Sequence, residues 1–178
     1  AGFFSMTRRP PRSTLFPFPT LFRSSTGPAG WVRTTLASTG GDVTPAISLA
    51  TSSTYPTAAP REGSHFVKFN SYSSYPGTSI RLAYSNGFST IGYGRVQVRC
   101  AWFQFSGPYS QDGEGAWLRW STNGVNWDTL AFFPNFASPT NWNTKEIVLP
   151  AACVQQPQVR LAFDFVSRYG YNCYLDAV

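Results

Sequence analysis

Between Gly115 and Phe133 the chain reads GAWLRWSTNGVNWDTLAFF, and this stretch restricts the fold more than any other. On its first arm Ala116, Leu118 and Trp120 alternate with Trp117 and Arg119, a period of two that sends successive side chains to opposite faces of a strand. Asn123-Gly124, set between two apolar-rich runs, supplies the positive φ angles of a tight primed turn. A β-hairpin is predicted, and with it an antiparallel sheet.

The same period recurs along the chain. HFVKFN places Phe66 and Lys68 on one face and His65, Val67 and Phe69 on the other, and TSIRLAYS puts Ile80 and Leu82 together. In GRVQVRCAWFQFS, Val96, Val98 and Cys100 share a face, and then apolar residues occupy both faces from Ala101 to Phe105. That predicts either a strand covered on both sides or a bulge that swaps its faces. PQVRLAFDFVS directs Val159, Leu161, Phe163 and Phe165 inward and Arg160 and Asp164 outward. Ser25 to Arg61 is rich in Thr, Ser, Ala and Pro; GPAGWVRTTL opens it, and TPAISLATSSTYPTAAP, Thr44 to Pro60, reads as extended loop with a short edge strand. Seven or eight short strands with no helical period predict an all-β fold, an antiparallel two-sheet β-sandwich of jelly-roll type.

The segment RRPPRSTLFPFPTLFRS, Arg8 to Ser24, breaks this character. Prolines interrupt its apolar run, so it is neither a secretory signal nor a spanning helix. Thr14 to Ser24 resembles the reading-frame translation of a common sequencing adapter, Phe18 and Pro19 being the departures. That resemblance implies that residues 1–24 are not native sequence, lack regular structure and stand apart from one domain over residues 25–178, itself truncated at both ends. With four of the 14 basic residues set aside and all 8 acidic ones kept, the net charge falls from +6 to +2. The basic balance therefore gives no reason to expect nucleic acid or an anionic membrane as a partner.

Catalytic constellations are missing from the sequence. The single histidine, His65, sits in a strand without a sequence-evident partner, so it is read as a strand residue and not a general base. No G-x-S-x-G elbow occurs, and Cys100, Cys153 and Cys173 have no metal-ligand spacing. Asp112 and Glu114 in QDGEG could form a carboxylate pair for glycoside hydrolysis, but they read more simply as a solvated turn before a strand. Cys100 and Cys173 are either buried thiols or one cross-strand pair, and Cys153 is expected free in a loop.

The order of motifs GSHFVKFNSYSS, GTSIRLAY, LRWSTNGVNWDTL, TNWNTKEIVLPA and QVRLAFDFVSRYGYNCYLDAV resembles the MAM-like jelly-roll domains of bacterial surface proteins, including the choice-of-anchor J and cleaved-adhesin groups. The resemblance covers about residues 63–178. It implies a non-catalytic, extracellular or cell-surface module of a larger chain, with a glycan or surface protein as partner. An accessory or spacer domain beside a secreted peptidase or glycosidase is the alternative. Relatives often carry a structural calcium near the closing motif. Here Asp176 is followed by Ala177 where the family has a second Asp, so Asp176 alone would remain as a ligand, and no other cofactor is implied.

For binding, Trp117 beside Arg119 offers a flat indole next to a hydrogen-bond donor, suited to stacking on a sugar ring, unless Trp117 packs beneath a loop. Tyr109, Trp142, Tyr169 and Tyr171 fall in loops, where binding groups concentrate. Each alone is read more simply as a loop-packing residue; a cluster of them would signify a site.

Overall fold

The computed structural model describes residues 30–39, 46–105, 107–134 and 142–178. The adapter-like segment lies outside them. The strands in chain order are β1 (Trp31–Ala37), β2 (Ile47–Ala50), β3 (Ser53–Thr54), β4 (Thr57–Ala58), β5 (Phe66–Phe69), β6 (Ser79–Tyr84), β7 (Gln97–Gln104), β8 (Gly115–Ser121), β9 (Asp128–Pro134), β10 (Asn143–Val148), β11 (Arg160–Val166) and β12 (Cys173–Asp176). Two five-stranded sheets form the sandwich. The front sheet runs β1-β6-β11-β8-β9 and the back sheet β10-β7-β12-β5-β2, with β3 and β4 paired separately. Every pairing within them is antiparallel.

Short connections do not make neighbours here. From β5 onward the chain changes sheet at every step except the β8–β9 hairpin. This is the wrap of a jelly roll, and it collects the connections at the two ends of the sandwich.

Alternation decides which side chains fill the space between the sheets. Leu161, Phe163 and Phe165 of β11 meet Leu118 and Ala116 of β8, Ile80 and Leu82 of β6, and Val98, Cys100 and Trp102 of β7, all buried in one cluster. Trp120 packs partly against it. Removing one such side chain, as in Leu118→Ala, costs ~2–5 kcal/mol in cores of this kind.

The run from Ala101 to Phe105 takes the first of its two predicted forms. Trp102 continues the inward face of β7, while Phe103 joins Phe66, Tyr174 and Ala58 in a second buried cluster on the outside of the back sheet. The β3–β4 loop covers this cluster, and the Tyr174 hydroxyl donates to Pro56 O at 2.6 Å and lies 2.9 Å from Ser53 Oγ. The back sheet is therefore buried on both faces along these strands.

Two local expectations need correction. β1 is a seven-residue strand where no strand was read; all but one of its residues are exposed, so no apolar alternation marks it. At the β8–β9 hairpin only Gly124 takes a positive φ (75°); Asn123 does not. Instead the Asn123 side-chain oxygen accepts from the amides of Val125 and Asn126, each at 2.9 Å, and Ser121 Oγ accepts from Gly124 N at 2.8 Å. The turn is a longer loop braced by polar side chains, which is the second use asparagine finds in turns.

The cysteines resolve toward thiols. All three are free and buried, Cys153 included, although it lies in a connection. Cys173 stands opposite Gln104, four residues along β7 from Cys100. Four strand residues span ~13 Å, well beyond the ~7 Å Cα separation a disulfide tolerates. Burial pushes Cys100 and Cys153 up to about 12 from the ordinary 9.0 and Cys173 well above it. A folded-state value above the unfolded one means that the contribution to stability is whole below pH 9 and is lost as pH rises through about 12. The native protein is therefore expected to leave all three thiols unreacted with a disulfide reagent at pH 8, to release all three in denaturant, and to lose stability between pH 9 and 12.

Candidate loop-end site

One end of the sandwich carries the loops after β3, β5, β7 and β11, and these loops are rich in tyrosine. Tyr55 and Tyr72 stack with ring centroids 4.4 Å apart and planes within 3°. Tyr75 lies 6.2 Å from Tyr169, and Tyr109 meets Tyr171 edge-on at 5.7 Å. Tyr55, Tyr72, Tyr75, Tyr109 and Tyr169 are all exposed, whereas Tyr171 is buried beneath Tyr109 against Phe105. Three of the candidates from sequence, Tyr109, Tyr169 and Tyr171, are thus brought to one end, joined there by Tyr55, Tyr72 and Tyr75. Only contacts between loops distant in sequence reveal the latter three, and no local pattern in TSSTYP or SYSSYPG marks them.

A buried polar cluster holds these loops. Glu114 is 1% exposed, so the solvated turn expected of QDGEG applies to Asp112 alone. Its Oε1 accepts from the Ser71 hydroxyl, from Arg168 N at 3.2 Å and from Gly170 N at 3.0 Å. Ser71 also bonds Ser167, whose hydroxyl reaches the Ser74 carbonyl at 2.7 Å. Asn172 completes the set: its amide donates to Tyr55 O at 2.9 Å, and its side-chain oxygen accepts from Tyr72 N at 3.1 Å. Buried acceptors and donors are costly unless paired, so each bond here fixes the position of the loop it belongs to.

Two backbone features follow from this crowding. A Cβ on Gly170 would collide with the Glu114 carboxylate and the Tyr109 carbonyl, so only glycine lets the chain pass so close. Next to it, Tyr169 sits at φ 66°, in the left-handed region where a non-glycine residue is strained by ~1–2 kcal/mol. Its amide is held by Ser167 Oγ at 3.1 Å, and its ring is turned to solvent.

The remaining candidates lie elsewhere. Trp142 takes its packing alternative: its ring lies edge-on to Phe66 and Phe103 at 5.8 Å, and its N–H donates to Ala59 O at 3.0 Å. It lids the outer cluster of the back sheet. Trp117 and Arg119 do share the outer face of the front sheet, with the guanidinium 5.5 Å from the indole centroid. Their companions there are Phe132 and Trp127, not Trp142.

Asp176 is buried and spends its carboxylate on backbone amides: Arg61 and Glu62 donate to Oδ2 at 2.8 and 3.1 Å, and Ala177 to Oδ1 at 2.8 Å. Desolvation raises its pKa above the usual 3.8 against those three bonds. Calcium requires 6–8 oxygen ligands; the groups bonded to Asp176 are three backbone N–H donors, and the Glu62 charge adds to the rise in its pKa. Among the described residues no three His, Cys, Asp or Glu side chains converge to hold a metal. Asp176 clamps the chain before β5 through these amides.

Neither family models nor curated protein sequences match this chain. Its fold is similar to solved structures. The K2 cleaved adhesin domain of Lys-gingipain (Kgp) aligns at TM-score 0.60 and 18% identity over 88% of this chain and 93% of that one. A structure of carbohydrate-binding modules from the β-sandwich superfamily aligns at 0.53 and 14%, over 89% of this chain and 60% of that one. An arabinose-bound MgGH51 α-L-arabinofuranosidase aligns at 0.51 and 13%, over 86% of this chain but only 23% of the enzyme. The chain is therefore a two-sheet antiparallel β-sandwich of an architecture found in adhesin domains and carbohydrate-binding modules.

Replacing Glu114 by Ala would strand one buried hydroxyl and two amides, each worth ~1–3 kcal/mol when left unpaired. We expect Glu114→Ala to lose about 3 kcal/mol or more in urea unfolding, and Asp112→Ala to lose less than about 0.5 kcal/mol as a surface change. Equal effects at the two positions would refute the role given to Glu114.

Proposed function

We propose that this chain is a non-catalytic binding module of a larger extracellular protein, and that it engages glycan through the tyrosine-bearing loop end. The observation that supports this most is the set of five exposed tyrosines gathered from four loops over a fixed polar base. Tyrosine rings give flat apolar faces with a hydroxyl at the rim, and two χ angles per ring keep the entropy of ordering small. A sugar presents the matching surface, C–H groups on its face and hydroxyls around it. The left-handed tyrosine at position 169 accords with this reading, since glycine would relieve the strain but remove the ring.

Protein adhesion is the second reading. It is supported by the same tyrosines, which also dominate protein-binding loops, and by the likeness to an adhesin domain. The MAM-like and choice-of-anchor J resemblance of the motifs points the same way. The alternative of a spacer beside a catalytic domain would need none of these rings exposed. We also propose that the module folds without calcium, because Asp176 already serves three amides.

A glycan array probed with a multivalent display of the chain is the direct test, since a single weak site gains strength through effective concentration. Each ring is worth ~1 kcal/mol of stacking beyond its area, so Tyr55→Ala with Tyr72→Ala should weaken binding about 30-fold and leave the melting temperature within a few degrees. Binding unaffected by the double substitution would place the site elsewhere. Calcium added to the same protein should not raise its melting temperature; a concentration-dependent rise would show a site formed by other oxygens.

A further inference from the structure

The outer face of the front sheet has a composition of its own. One rank of side chains crosses all five strands in register: Thr34, Arg81, Asp164, Trp117 and Phe132. Arg119 stands in the next rank, opposite Ala162 on β11 and with Ala83 beyond it on β6. Arg81 grips Asp164 through two bonds of 2.7 Å, and Arg119 Nε reaches the same carboxylate at 3.2 Å. Each guanidinium also has an indole beside it, Trp127 at 4.7 Å from Arg81 and Trp117 at 5.5 Å from Arg119.

Charge on this face is layered. Two cations share one anion, which leaves a unit of positive charge. The Asp164 side chain is 5% exposed, while those of Arg81 and Arg119 are 19% and 26% exposed. The negative group thus lies beneath the positive ones, and an approaching solute meets the guanidinium edges first. Arg81 Nη1 and Arg119 Nη2 make no hydrogen bond among the described residues, so both keep N–H groups for an outside acceptor. Asp164 and the stacked indoles set the planes of both forks before any ligand arrives, which lowers the entropy of ordering them.

We propose that this face is a second binding surface, distinct from the loop end, whose ligand is an acidic sugar: a ring stacked on Trp117 or Trp127 with its carboxylate or sulfate group over the two guanidiniums. Arginine forks match either anion, and a flat indole matches the ring. An extended acidic peptide is the less suited occupant. Peptides bind sheets by adding a strand at an edge, whereas β6, β11 and β8 are paired on both sides and offer no free backbone groups.

The test uses the whole chain and four probes: oligogalacturonate, its fully methyl-esterified form, a sulfated glycosaminoglycan oligosaccharide, and poly-glutamate, each followed by calorimetry at two salt concentrations. The free acid or the sulfated sugar should bind, the ester should bind at least tenfold more weakly, and added salt should weaken the acidic complex. Arg119→Gln should lose tenfold or more in affinity with little change in melting temperature. Asp164→Asn supplies the decisive contrast. It removes the opposing charge, so anion affinity should rise several-fold even though the protein becomes less stable. Should that variant fail to fold, Trp117→Phe keeps the packing and should reduce affinity for the sugar without altering the salt dependence. Equal binding of acid and ester, poly-glutamate bound as tightly as the sugar, no binding of either acidic sugar, or weaker binding by a folded Asp164→Asn would each overturn the proposal. Tyr55 and Tyr72 substitutions should leave this binding intact, which separates its failure from that of the loop-end site.

Discussion

A carboxylate buried among loops is an expensive group, and Glu114 is acceptable at the end of this sandwich only because its surroundings answer it. Its Oε1 collects the Ser71 hydroxyl and the amides of Arg168 and Gly170. Those donors belong to loops that leave different sheets, so a bond to Glu114 is also a bond between connections that the wrap of the chain has brought together. Ser167 and Asn172 extend the same logic to Ser74, Tyr72 and Tyr55. Without such a base, loops of Ser, Tyr, Gly and Pro would sample many conformations, and ordering them would cost ~1–2 kcal/mol per residue. With it, the tyrosines are displayed in one arrangement.

Among the described residues three buried carboxylates serve as organising groups, each with a different set of partners. Glu114 is met by a hydroxyl and amides, Asp176 by three amides, and Asp164 by two arginines. The first fixes the loop end and the second pins the chain that leads into β5. The third sets two guanidiniums on the front face. Partner choice decides what reaches solvent: amide-bound carboxylates disappear into the fold, whereas the arginine-bound one leaves positive charge at the surface. An acidic residue can therefore prepare a surface for an anion, provided that it lies beneath its partners.

Sheet architecture was legible in the sequence because a strand buried on one face must alternate. The inward rows of β6, β8 and β11 came directly from that rule, as did the double burial open to β7. β1 was not legible, because an edge strand with six exposed residues has no apolar row to show. The site was legible only in fragments. Tyr109, Tyr169 and Tyr171 could be picked as loop aromatics, but Tyr75 beside Tyr169, and the loops of Tyr55 and Tyr72 bonded to Asn172, are joined to them only by contacts between residues far apart in sequence. Glu114 was hidden for a related reason: next to Asp112 in a Gly-rich turn it looks solvated, and its burial follows from Ser71 and Gly170, distant residues that a local reading does not connect. Trp117 on a strand and Trp142 in a polar loop were both open to packing or exposure from sequence, yet it is the loop residue that lids an outer cluster and the strand residue that lies on an outer sheet face.

Hydrogen exchange at single amides tests most directly whether the buried network holds the loop end rigid. The amides of Tyr72, Arg168, Gly170 and Asn172 lie in loops but donate to acceptors within the protein, those of Tyr72, Arg168 and Gly170 in buried or partly buried bonds. If the network holds, they should exchange nearly as slowly as the amides of β8 and β11, through openings that approach global unfolding. Exchange at rates typical of free surface loops, with the strands still protected, would contradict a fixed tyrosine display and leave Glu114 a local contact only.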